Sequence, residues 1–87
     1  MKLILHRNFE KKFIKTPLKI REQFKRRRDL FLKDRFHPSL NNHPLAGRRK
    51  NEWSINVTGD WRAIYIWLDE ETVIFLDLDT HSHLYGK

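Results

Sequence analysis

The feature that most narrows what this chain can become is the stretch 51–85, NEWSINVTGDWRAIYIWLDEETVIFLDLDTHSHLY, where three β-type runs are separated by two turn signals. In the first run Trp53, Ile55 and Val57 alternate with Ser54 and Asn56, the period-two pattern of a strand with one buried face. Thr58, Gly59 and Asp60 supply the first turn. The second run, 61–68, is rich in aromatic and β-branched residues, and the acidic turn Asp69, Glu70, Glu71 leads to the third, 73–78. Links this short join antiparallel neighbours, so an antiparallel meander is expected. The second and third runs are apolar on both faces for most of their length, which places them centrally with both faces covered.

Everything before this stretch reads as cover for the sheet. MKLILHR at 1–7 alternates enough for a first strand, with His6 structural or exposed. Asn8 is a candidate N-cap for a short helix with Glu10 in its first turn and Phe9 and Phe13 as apolar contacts. Thr16 and Pro17 end that helix and begin the next, Thr as N-cap and Pro at the first helical position. The second helix is expected over 17–33, with Ile20, Phe24 and Phe31 on a core-facing stripe joined by Leu30 and Leu32. Residues 35–50, RFHPSLNNHPLAGRRK, are broken by Pro38, Pro44, Gly47 and two Asn, and read as a loop long enough to suspect function. The resulting order is βααβββ with a short terminal element. This is an α+β fold, two N-terminal helices packed on a small antiparallel sheet, as one domain over residues 1–87.

Charge is strongly segregated. Residues 1–50 hold sixteen Lys/Arg against four Asp/Glu, and residues 51–87 hold two against seven, so +12 faces −5. A basic half of this kind suits a polyanion such as RNA, an acidic protein, or simply a solvated helix face. The runs Arg26, Arg27, Arg28 and Arg48, Arg49, Lys50 are the candidate phosphate contacts. There is no cysteine, which excludes a disulfide framework and cysteine-based zinc sites and is compatible with a reducing cytoplasmic home. No apolar run approaches the roughly 18 residues of a membrane span, so no membrane association is expected.

The groups able to move protons cluster late in the chain. His81 and His83 follow the third run, and His43 sits in the loop before the first. An H-x-H pair with one distant His is a weak metal signature. Histidine is the natural proton-transfer group near neutral pH with or without a metal, so no cofactor is required. His37 reads as structural and His83 as an exposed neighbour of His81.

HPLAG at 43–47, GDWRAIY at 59–65 and THSHLYG at 80–86 together resemble the RelE/ParE superfamily of bacterial toxins, most closely the YafQ-like mRNA interferases. The resemblance spans the chain and is specific from His43 onward. It implies a ribosome-dependent endoribonuclease that cuts mRNA by metal-independent acid–base chemistry, with the ribose 2′-OH attacking the adjacent phosphate. It also implies a cognate antitoxin, acidic and partly disordered, that holds the toxin inactive. Carried over by position, His43, Asp60, His81 and Tyr85 match the YafQ-like pattern, and Arg62 matches the phosphate-facing arginine of RelE-type members. His81 is then the principal general acid or base and Arg62 the cation at the phosphoryl oxygens. His43 and Asp60 supply the second proton-transfer group and its orienter, or an alternative base, while Tyr85 stacks on a base or assists proton transfer.

The chain also departs from the pattern. Asn56 stands where YafQ-like members carry a histidine, and Ser54 and Asn56 stand where RelE-type members carry lysines. Asn56 can hydrogen-bond RNA but cannot shuttle a proton near pH 7. Two further readings therefore stay open: a non-enzymatic ParE-type toxin that poisons gyrase, and an RNA- or ribosome-binding homologue with impaired catalysis.

Overall fold

The computed structural model describes residues 1–85; Gly86, which closes the THSHLYG motif, lies outside the described residues. Five strands, β1 (Lys2–Leu5), β2 (His43–Pro44), β3 (Trp53–Asn56), β4 (Trp61–Asp69) and β5 (Thr72–Thr80), form one sheet in the order β1-β5-β4-β3-β2. Helices α1 (Arg7–Lys15) and α2 (Leu18–Lys33) follow β1, and a short α3 (His81–Tyr85) follows β5.

The meander β3-β4-β5 is antiparallel, as the short turns require, and its two long strands are central. The sheet as a whole is mixed, because β1 lies parallel to β5 with Leu3 beside Val73. Sixty-odd residues separate these strands, so no turn dictates their relative direction. The expected loop 35–50 is not structureless. It holds 3₁₀ turns at Pro38–Leu40 and Gly47–Arg49 and, between them, β2, which pairs His43 with Ser54 and Pro44 with Trp53. Gly47, at φ +67°, occupies the left-handed conformation that a side chain resists.

Both helix starts differ by a residue or two from the sequence reading. His6, not Asn8, caps α1: its Nδ1 accepts from the Asn8 N–H at 3.0 Å. Thr16 closes α1 rather than opening α2, donating its N–H to Phe13 and its hydroxyl to the Lys12 carbonyl. Pro17 is the cap of α2, its carbonyl accepting from Ile20 and Arg21.

One face of the sheet is covered by α1 and α2. Phe75, on central β5, meets Phe9, Phe24 and Phe31 at ring separations of 6.0, 5.7 and 5.7 Å, and Tyr65 at 5.2 Å, mostly edge to face. All five rings are fully buried or nearly so. Aromatics stacked this way supply large apolar area and oriented ring contacts, which is how a small chain builds a core without disulfides. Tyr65 can be buried because its hydroxyl donates to Asn42 Oδ1 at 2.8 Å. Burial pushes that phenol up to about 12.

A bulge decides what the other face carries. Ile64 pairs with Asp77 but Tyr65 pairs with Phe75, so Leu76 is the extra residue and the alternation of β5 changes phase there. Val73, Phe75 and Leu78 join the helix-side core, while Asp77 and Asp79 turn to the far side. On that side Ile64 and Leu84 are buried apart from the main core.

Candidate active site on the uncovered face of the sheet

Strand alternation aims Asn56 and Arg62 away from the helices, because their neighbours Ile55 and Ala63 belong to the core. Pairing then gathers residues from distant parts of the chain. Asn56, Arg62 and Asp79 form one row across β3, β4 and β5, and His43, Ser54, Ile64 and Asp77 form the next. Beside these rows His43, Arg62, His81 and Tyr85, together with Asn41, line a cleft of about 340 Å³.

Each wall of the cleft has a local cause. Asn41 adopts the left-handed conformation, φ 46°, and turns its carbonyl to His43 Nδ1 at 2.7 Å. A carbonyl only accepts, so Nδ1 carries the hydrogen and Nε2 of the neutral ring keeps its lone pair. Arg62 folds back over the β3–β4 turn, with Nη1 donating to the carbonyls of Thr58, Gly59 and Trp61 at 3.0–3.2 Å. Its Nε and Nη2 make no hydrogen bond among the described residues, leaving a fixed cation with donors unspent. His81 opens α3 and its ring lies edge-on to Tyr85, centroids 4.7 Å apart, one helical turn away.

Asp60 is next to the site but not in its lining. Its backbone carbonyl accepts the His81 N–H at 2.7 Å, so it fixes where α3 begins, while its carboxylate makes no hydrogen bond among the described residues. Asn56 stands on the Arg62 row, and its Oδ1 is buried without a partner, as is the Ser54 hydroxyl. Both atoms are closed to water, so each is an unpaired polar group beneath the face that carries Arg62.

The two basic runs separate. Arg26 bonds Gln23, Arg27 bonds the Ser39 carbonyl and Arg28 pairs with Asp29, all on α2, whose aromatics pack on the opposite face from the cleft. Arg49 is committed to Glu52 at 2.8 Å and to the Leu84 carbonyl at 3.4 Å, tying the Gly47–Arg49 turn to α3. Arg48 and Lys50 are exposed beside it with no ion pair among the described residues. His37 is structural, its Nδ1 capping the Pro38–Leu40 turn.

Three features of the site were not singled out from sequence. Asn41 could have been, since an Asn pair just before His43 marks a left-handed turn. Asn42 pins the opposite side of that turn to Tyr65. The third is a charged cluster under α3. Lys12, from α1, reaches past the edge that β1 leaves unpaired and donates to Asp77 at 2.7 Å and Asp79 at 3.1 Å. Asp79 also accepts from His83 Nδ1 at 2.6 Å, so His83 is more than an exposed neighbour of His81: it anchors α3 to β5. Burial alone would lower the Lys12 ammonium, but the two carboxylates hold it above its ordinary value. Burial would likewise raise Asp79, yet the bonds from His83, the Thr80 N–H and Lys12 hold it below the usual carboxylate range.

A profile of the ParE toxin of type II toxin–antitoxin systems matches residues 3–85. No match was found among proteins of curated function. Among solved structures the chain is similar to YafQ from E. coli strain BL21(DE3), at 22% identity and TM-score 0.78 over 98% of each chain. It is also similar to the YoeB/ParE toxin from Agrobacterium tumefaciens, at 18% identity and TM-score 0.76 over 93% of this chain and 99% of that one. A third likeness is to the RelB–RelE antitoxin–toxin complex from Methanococcus jannaschii, at 18% identity and TM-score 0.73 over 95% of each. These likenesses carry the fold, and the profile spans nearly the whole chain. The chain belongs to the ParE toxin family of type II toxin–antitoxin systems, within the RelE/ParE superfamily.

Proposed function

We propose that this toxin is a ribosome-dependent endoribonuclease that cuts mRNA by acid–base chemistry in the cleft between β2, β4 and α3. The observation that carries the reading is the convergence of His43, Arg62, His81 and Tyr85 on one cleft from three separate stretches of sequence. Cleavage by an internal nucleophile needs a base at the ribose 2′-OH, an acid at the leaving 5′-oxygen and a cation at the phosphoryl oxygens.

His43 takes the 2′-OH proton on Nε2, the nitrogen left with a lone pair by the Asn41 carbonyl. The 2′-oxygen bonds to phosphorus as the bond from phosphorus to O5′ breaks. His81, in its protonated form, delivers the proton to O5′. The products are a 2′,3′-cyclic phosphate and a 5′-hydroxyl. Arg62 neutralises the charge that grows on the phosphoryl oxygens, and its anchorage to three turn carbonyls spares the cost of ordering it during the reaction. Tyr85 stacks on a base at the rim. Asp60 orients His81 through its backbone, and Asn56, which cannot transfer a proton, binds RNA. Exposed Arg48 and Lys50 support RNA binding better than Arg26, Arg27 and Arg28, which lie on α2 away from the cleft.

A cognate acidic antitoxin is the expected protein partner, in keeping with the basic first half of the chain and with the relatives solved as antitoxin–toxin complexes. The site of action is the cytoplasm, with its ribosomes. Among the described residues no helix is long and apolar enough to cross a membrane.

A second reading, a non-enzymatic toxin acting on gyrase, is favoured by the family profile, which is that of a ParE toxin. A reconstituted translation reaction separates the two. mRNA cut in codon phase only when ribosomes are present supports the nuclease. Intact mRNA together with gyrase-dependent DNA breaks overturns it.

A further inference from the structure

A second cleft, of about 760 Å³, is larger than the one that His43 and His81 line. It lies beside it, and Tyr85 is a wall of both. Leu45, Ala46, Leu84 and Tyr85 give it apolar sides. Its polar lining is Glu52, Arg48, Arg49 and His83. Glu52 Oε1 accepts from Arg49 Nη1 at 2.8 Å, and the same guanidinium donates through Nη2 to the Leu84 carbonyl at 3.4 Å, so the arginine that holds the carboxylate is itself held at both ends. The second oxygen of Glu52 receives no donor among the described residues.

We propose that this cleft binds the nucleotide that flanks the scissile phosphate, with its base against Leu45, Leu84 and Tyr85, its phosphate on Arg48, and an amino group of the base donating to Glu52. The assignment rests on the ribonuclease reading for the identity of the neighbouring phosphate. Apolar walls with an aromatic edge suit the face of any base, and stacking of this kind is tolerant of sequence. Glu52 adds the discrimination. Where the base turns the edge that carries N6 of adenine or N4 of cytosine to Glu52, the carboxylate, which only accepts, favours those two over uracil, thymine and guanine, which present a carbonyl oxygen there. Charge complementarity agrees, because Arg48, which lines the cleft, has no ion pair among the described residues. The cleft is also within the size range of small-ligand sites.

The test is a titration of the full chain, followed through its backbone amide resonances, with 2′-deoxy dinucleotides that cannot be cut. Dinucleotides of adenine or cytosine are compared with those of uracil. The expected result is shifts at Leu45, Ala46 and Leu84, with binding about tenfold tighter for amino-bearing bases than for uracil, the scale of one charge-assisted hydrogen bond. Glu52→Gln, which keeps an acceptor for Arg49, should shrink that preference to about twofold or less. Arg48→Ala should weaken all probes alike. Absence of shifts at these amides, or equal binding of all bases by the parent chain, overturns the proposal even if Glu52→Gln fails to fold. Cleavage decides separately: shifts without mRNA cuts keep the nucleotide site and remove only the nuclease reading, whereas cuts without shifts do the reverse.

Discussion

The two faces of one sheet are built on opposite terms. Against the helices, Phe9, Phe24, Phe31, Tyr65 and Phe75 are closed to water and spend every polar atom they have, down to the Tyr65 hydroxyl on Asn42. On the far face, Arg62 keeps donors unspent, Ser54 and Asn56 keep acceptors unspent, and His43 keeps a lone pair. The difference teaches that β4 and β5 serve both sides at once. Alternate residues along the same strand set stability and, on the proposed reading, chemistry, so a substitution on one face should leave the other nearly untouched.

The largest effect is expected on chemistry alone. His81→Ala removes an exposed side chain from α3 and should lower mRNA cleavage about 10²–10⁴-fold, the usual weight of one general acid or base. Its melting temperature should stay within a few degrees of the parent's, since exposed substitutions cost under about 0.5 kcal/mol. The converse experiment is Phe75→Ala. Removing the ring that four other aromatics contact should cost about 3–5 kcal/mol, enough to unfold much of so small a domain, as read by denaturant titration. If Phe75→Ala left a stable fold with reduced cleavage, the two faces would not be independent.

How much of this was legible beforehand follows from what local pattern can encode. The alternation of Trp53, Ile55 and Val57 and the length of the second and third runs announced the meander and its central strands. The aromatic stripe on α2 announced the core. Three things were not readable, for distinct reasons. β1 joins β5 in parallel across a long stretch of chain, and nothing local records such a pairing. β2 is two residues long and contains a proline, so it has no period to detect. The bulge at Leu76 reverses the phase of β5, and period-two reasoning from Phe75 would have put Asp77 and Asp79 in the core. For the site, the motifs named His43, Arg62, His81 and Tyr85, but only pairing across four strands gives them a common cleft. Asp60 was read through its carboxylate, whereas its backbone carbonyl does the positioning.

The charged cluster joins the two faces and sharpens the comparison at intermediate cost. Asp79 is held low in the folded chain, so its contribution to stability is present above the unfolded carboxylate range near 4 and lost as pH falls through the folded value. Lys12 is held high, so its share is present below about 10.4 and lost as pH rises through its folded value. Between those limits Asp79→Asn should cost about 1–3 kcal/mol, and its stability should fall less steeply than the parent's below pH 4, as followed by thermal melts across pH. A parallel loss of cleavage at constant fold would mean that the anchorage of α3 through His83 also positions His81.

The smallest effect belongs to Tyr65→Phe. It removes one buried hydrogen bond and leaves Asn42 Oδ1 unpaired, which should cost about 1–2 kcal/mol in denaturant titration. Cleavage should change only if Asn42 carries Asn41, and with it His43, out of place.

The most direct measurement is primer extension on mRNA from cells briefly expressing the parent chain or His81→Ala, with accumulation of folded protein checked in both. Codon-phased cuts from the parent that vanish in the folded variant are the predicted result. Equal cuts from both, or toxicity from both without any cuts, would contradict the assignment of the open face as a nuclease site.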